Sequence, residues 1–131
     1  MSDENRQLVE KAYANFKAGD IPALLQSMSE DITWQLPEVE NVPFAGKRQG
    51  RGAVGEFFST LASLQDARSF EPREFIAQGD KVVVLGHYVW LVKANGRTFE
   101  SDFAHVFTAR GGQIVAFQEY TDSAAVAKAF R

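Results

Sequence analysis

Two residues near the C-terminal end of this chain, His105 and Glu119, are the ones best equipped for chemistry. They lie in the stretch Thr98-Phe-Glu-Ser-Asp-Phe-Ala-His-Val-Phe-Thr108, then Ala-Arg-Gly-Gly, then Gln113-Ile-Val-Ala-Phe-Gln-Glu-Tyr-Thr121. Two arms rich in aromatic and β-branched residues around a glycine turn read as a β-hairpin. Period-2 alternation puts Phe99, Ser101, Phe103, His105 and Phe107 on one face. An imidazole amid such a face sits where core residues normally go. A carboxylate beside it would make a proton-transfer pair, with Glu119 as general base and His105 bonding to the carboxylate or to a developing enolate oxygen. The same pair, satisfying itself, also serves as a purely structural buried hydrogen bond.

Register decides whether the two meet. A two-residue Gly111-Gly112 turn pairs His105 with Gln118 and sends Glu119 to the opposite face. A three-residue Arg110-Gly-Gly loop pairs His105 with Phe117 and Phe103 with Glu119. The pair then becomes diagonal neighbours roughly 7–8 Å apart at the backbone. The longer loop is favoured, because it also gathers Val115 and Phe117 onto the aromatic face.

The elements that must hold this hairpin follow from periodicity. Asp3 is a helix N-cap, and Leu8, Ala12 and Phe16, with Val9 and Tyr13 beside them, form an amphipathic helix ending at Gly19. Asp20 caps a second helix opening Ile-Pro, whose buried side is Leu24, Leu25 and Met28. Ile32 to Leu36 is a short strand with Ile32, Trp34 and Leu36 on one face. Pro37 to Gly52 is the one long irregular stretch, either a rim or a plain connection. A third helix carries Phe57, Phe58, Leu61 and Leu64. A meander follows: Phe70 to Gln78, Lys81 to Lys93, and the hairpin, with a two-residue Asn95-Gly96 turn that pairs Trp90 with Ser101 and Tyr88 with Phe103. Tyr88, Trp90, Phe75 and Arg73 thereby join the His105 face. The other face, with Val83, Leu85, His87, Val89 and Leu91, is also largely apolar and invites self-association. A short helix capped by Asp122 or Ser123 closes the chain. The whole, residues 1–131, is expected to form one α+β domain.

Composition narrows the function classes. The 131 residues are 45% hydrophobic and 24% charged, as in ordinary globular proteins. A net charge of −3 without a basic run speaks against nucleic acid and anionic membranes as partners. There is no cysteine, and two histidines are too few for an ordinary zinc site, so neither metal nor other cofactor is expected. The N-terminal residues lack an apolar signal region, and a cytoplasmic location is the expectation. Eleven Phe, three Tyr and two Trp are numerous for this size, which suggests aromatic-lined space as well as ordinary core. Trp34, Tyr88, Trp90, Phe103, Phe117 and Phe58 are the candidate walls for a small hydrophobic ligand, and Tyr13 the candidate hydroxyl. Lys47, Arg48 and Arg51 read as a solvated loop face.

The order of elements carries a resemblance. Ala18-Gly19-Asp20, Ile32-Thr-Trp34, Gly50-Arg-Gly-Ala-Val-Gly-Glu-Phe-Phe58 and Gly112-Gln-Ile-Val-Ala-Phe-Gln-Glu-Tyr-Thr-Asp122 resemble the SnoaL-like group of the NTF2-like superfamily over essentially the whole chain. The resemblance implies a cystatin-like cone: three N-terminal helices packed on a curved, mostly antiparallel mixed sheet, a short C-terminal helix, one apolar pocket, and a homodimer formed through the outer sheet face. Against ketosteroid isomerase, the catalytic positions fall at Leu36, Phe58 and His105, which do not match, and near Tyr13, which does. Against limonene epoxide hydrolase only Glu119 matches, while His87-Tyr-Val89 lacks the required residues. SnoaL-type polyketide cyclases fit best, through His105 and Glu119, with glutamate in place of their aspartate. The resemblance therefore implies a cofactor-free isomerase or cyclase, or a non-catalytic binding domain of the same shape.

Overall fold

Long strands with every second residue apolar must bury one face, and here the helices cover it. In the computed structural model, which describes residues 2–131, the elements are α1 (Ser2–Lys17), α2 (Ile21–Gln26), β1 (Met28–Gln35), β2 (Lys47–Gln49), α3 (Arg51–Leu64), β3 (Gln65–Gln78), β4 (Lys81–Val92), β5 (Thr98–Arg110), β6 (Gln113–Tyr120) and α4 (Ser123–Ala129). The six strands form one sheet in the order β2-β1-β6-β5-β4-β3. β1 runs parallel to β6, and every other neighbouring pair is antiparallel. The expected α+β layering, with a mixed sheet and a short last helix, is what forms. Among the described residues no helix is long and apolar enough to cross a membrane.

The burial pattern of β4 alternates along its length, with Val82, Val84, Tyr88, Trp90 and Val92 buried on the inner face. Val9 of α1, Ile32 of β1 and Ile114 of β6, each wholly removed from solvent, complete the core. Local chemistry sets the element ends. The Asp20 side chain accepts from Ala23 N and caps α2, with Pro22 in its first turn. Asp122 does the same for α4 through Ala125 N. Asp3 lies inside the first turn of α1 rather than capping it, and binds Arg6.

Several expected pairings shift. The final hairpin turns on two residues, Gly111 and Gly112, both at positive φ (58° and 78°), the primed geometry that two-residue hairpins require. A bulge then changes the count: Ala109 pairs with Ile114 but Thr108 pairs with Ala116, leaving Val115 as the extra residue of β6. His105 thus faces Glu119 directly, and neither expected register forms. The Asn95-Gly96 turn is also longer than expected. Val92 N bonds to Arg97 O across a four-residue loop, Lys93–Gly96. The Asn95 side chain is used to accept from Arg97 N and to donate to Ala129 O of α4, and Lys93 N goes to Leu64 O. The register moves by two, pairing Trp90 with Phe99 and Tyr88 with Ser101. A shift of two preserves facing, so both rings stay inside.

β3 begins at Gln65, not Phe70, because its first residues are polar ones on an edge strand, where alternation is blurred. Arg73 sits in a second bulge, between Pro72 and Glu74, and binds Glu71 at 2.7 Å in solvent instead of joining the inner face. The Pro37–Gly52 stretch is held from within. Arg48 donates to the Pro43, Phe44 and Ala45 carbonyls and lies over the Phe57 ring, while Arg51 donates to Met28 O.

Two features yield tests. A Cβ at Gly86 would collide with the Glu71 carbonyl oxygen and the Phe103 ring, so only glycine lets that ring cross the sheet. Gly86→Ala is expected to destabilise by about 1–3 kcal/mol in urea unfolding, as overpacking does. On the outer face, His87 stands between Asp102 and Glu100, at 2.9 Å from each, with Glu71 opposite on β3. The hydrogen bonds to Asp102 and then Glu100 raise its pKa above the ordinary histidine value. That stabilisation is complete below pH about 6.5 and fades as pH rises through the folded-state pKa. The melting-temperature advantage of wild type over His87→Gln should therefore be largest at acidic pH and shrink under alkaline conditions.

Candidate functional site

β5 and β6 bring a buried imidazole and a carboxylate into direct opposition, and α1 completes the cluster. His105 is 5% exposed, and an imidazole so deep must find partners for both ring nitrogens. Nε2 lies 2.7 Å from Glu119 Oε2 and Nδ1 lies 2.6 Å from the Tyr13 hydroxyl. Burial, and then the negative charge of Glu119, push the Tyr13 pKa well above its ordinary value. Tyr13 therefore keeps its proton. A carboxylate only accepts, so with Glu119 ionised the ring proton sits on Nε2, and Nδ1 of the neutral imidazole accepts from the Tyr13 hydroxyl. His105 engages one carboxylate oxygen, Oε2, and leaves Oε1 to face other groups.

Aromatic rings enclose this relay. The cavity is lined by Tyr13, Trp34, Phe58, Tyr88, Trp90, His105, Phe117 and Glu119 among the expected residues. Leu36 and Phe99, the latter on the His105 face as alternation placed it, and residues not expected there, such as Phe44, Val126 and Gln65, line it as well. Trp34 lies flat on Phe117 with centroids 3.9 Å apart, as their pairing across the parallel β1–β6 ladder requires. Tyr88 donates to Thr121 Oγ1 at 2.6 Å, and burial with the charge of Glu119 raises its pKa too. Phe103 does not line the cavity. It packs behind His105, ring on ring at 4.1 Å, in the space left free by Gly86. The open volume is about 90 Å³. A dry engineered cavity that admits benzene is larger, roughly 150 Å³, so a ring-bearing ligand must enter by rotating lining side chains.

Gln65 is the residue that sequence reasoning missed. It joins α3 to β3, its backbone N–H bonds to Leu61 O, and it is 3% exposed. Its only sequence signal is a polar residue at the end of an apolar helix face, which ordinarily marks a surface. Among the described residues no group of three or more His, Cys, Asp or Glu is placed to hold a metal ion.

A curved mixed sheet closed by helices around an aromatic cavity is the NTF2-like architecture, and the comparisons agree. A crystal structure of an NTF2-like protein from Burkholderia xenovorans LB400 is 34% identical, with a TM-score of 0.90 over 100% of this chain and 98% of that one. TerC, co-crystallised with polyporic acid, is 30% identical, with a TM-score of 0.86 over 97% and 98% of the two chains. A candidate SnoaL-like polyketide cyclase from Mesorhizobium loti shares the fold at 16% identity, with a TM-score of 0.73 over 87% and 96%. The SnoaL-like domain model matches residues 9–117, and the chain belongs to that family. No curated protein matches at a significant level.

The relay makes a prediction of its own. Tyr13→Phe leaves His105 Nδ1 buried without a donor and should cost about 1–3 kcal/mol of stability. Nitrogen-15 NMR of the imidazole should show one tautomer, protonated at Nε2, in wild type and variant alike, with the Nδ1 resonance displaced in the variant by loss of its hydrogen bond.

Proposed function

We propose that the protein acts on a small hydrophobic carbonyl compound by proton transfer at the carbon next to the carbonyl, without a cofactor, as an isomerase or a cyclase. The observation that carries this reading is the buried His105–Glu119 hydrogen bond, which fixes one carboxylate oxygen and leaves the other for a carbon-bound proton. Glu119 takes the proton, and the electron pair moves onto the carbonyl oxygen as an enolate. In an isomerase the proton returns to a different carbon. In a cyclase the enolate carbon attacks a second carbonyl of the same molecule. His105 orients the carboxylate, Tyr13 orients His105, and the aromatic walls stack on the substrate and exclude water. The co-crystal of the 30%-identical TerC with polyporic acid supports an aromatic ligand for this chain.

A second reading has an observation in its favour. Both nitrogens of His105 are satisfied without any ligand, as a structural pair in a binding domain would be. One experiment separates the two. 2-Tetralone in deuterated buffer should lose its α-proton NMR signal with the wild-type protein. Glu119→Gln should slow that exchange by about 10²–10⁴-fold while keeping the melting temperature and the thermal shift caused by ligand. Thermal stabilisation by the ketone with no protein-dependent exchange would establish the binding-domain reading instead.

A further inference from the structure

Two polar side-chain atoms in the cavity wall have no hydrogen-bond partner among the described residues: Trp34 Nε1 and Gln65 Oε1. Both side chains are more than nine-tenths buried. A buried polar group without a partner is costly, and native proteins carry few of them. Neither the relay nor the core uses these two. Trp34 belongs to the proton-transfer end, because it pairs with Phe117, two residues before Glu119 on the same face of β6. Gln65 belongs to the other end. Along β4, His105 is opposite Val84 and Gln65 is opposite Val92, eight residues further on. The cavity therefore carries a carboxylate and an indole N–H at one end, an amide at the other, and mostly rings and aliphatic groups between.

Building on the reading of this cavity as a small-molecule site, we infer that Gln65 and Trp34 are its specificity determinants, and that the ligand is an aromatic carbonyl compound oxygenated at both ends. The carbonyl or enol oxygen accepts from Trp34 Nε1–H beside Glu119. A hydroxyl or second oxygen at the far end bonds to the Gln65 amide. An unsubstituted ring system would leave that amide buried and unpaired, which is how hydrogen-bonding pockets reject analogues that lack a hydroxyl.

The probes are 2-naphthol and naphthalene-2,6-diol, which share an enol-like hydroxyl and differ by one hydroxyl at the opposite end. Calorimetric titration of the wild-type protein should show the diol binding tighter by about tenfold or more, the worth of one well-made hydrogen bond to a buried group. In Gln65→Leu that preference should vanish through loss of diol affinity, with 2-naphthol bound as well as before. Trp34→Phe should weaken both probes by a similar factor. Without ligand, Gln65→Leu should melt no lower than wild type, whereas a Gln65 that served packing would lower the melting temperature when replaced. Equal binding of the two probes by wild type, or a preference that survives Gln65→Leu, overturns the assignment and leaves the cavity reading standing. Failure of both probes to bind removes the cavity reading and this inference with it.

Discussion

A buried imidazole has two nitrogens to satisfy, and in this protein that requirement ties three elements together. His105 on β5 draws Glu119 from β6 and Tyr13 from α1 into one hydrogen-bonded line. Losing either partner would leave a polar atom stranded in an apolar wall, at a cost of the same order as a whole helix cap. The position of α1 over the sheet is thus fixed by chemistry as well as by packing. The Tyr13 ring reinforces it, lying parallel to the imidazole and edge-on to Phe75 and Phe107.

The facing of His105 and Glu119 depends in turn on one extra residue. A two-residue glycine turn alone would put Glu119 on the outer face, opposite Ala104. Val115, bulged out of the β6 ladder, restores it to the inside. Bulges cluster next to active sites because they re-aim side chains without changing the rest of the strand. The glycine turn and the bulge together give the shared face that a longer loop was expected to produce, with the two residues directly opposite rather than diagonal.

What the sequence made legible is what periodicity controls. Helices, long strands and the face shared by Tyr88, Trp90, His105 and Phe117 follow from repeats of 3.6 and 2, and a register error of two leaves facing intact. The bulge was not legible, because nothing in Gln113-Ile-Val-Ala-Phe distinguishes a regular strand from one with an extra residue. Phe103 was assigned to the cavity on parity alone. Its true place depends on the missing side chain of Gly86 across the ladder, a contact between strands that no single-strand pattern records. Gln65 escaped for a related reason. Edge strands and helix ends tolerate polar residues, so a glutamine there looks like surface until packing shows it buried.

The direction of the relay is set by chemical type rather than by distance. Oxygen and nitrogen 2.6 Å apart would permit the Tyr13 hydroxyl either to donate or to accept. An ionised Glu119 can only accept, so His105 donates at Nε2 and, as a neutral imidazole, accepts at Nδ1, which leaves Tyr13 the donor. Burial, and then the carboxylate charge nearby, make the phenolate expensive and keep that donor's proton in place. The rings that bury this line also wall the cavity that Glu119 helps to line. A carbonyl compound of the kind we propose would exchange water there for the same dry surroundings, in which the interaction of a fixed carboxylate with a developing charge is least screened. Replacing the walls with polar residues would therefore ease ionisation of Tyr13 and weaken the proposed chemistry together, because both draw on the same exclusion of water.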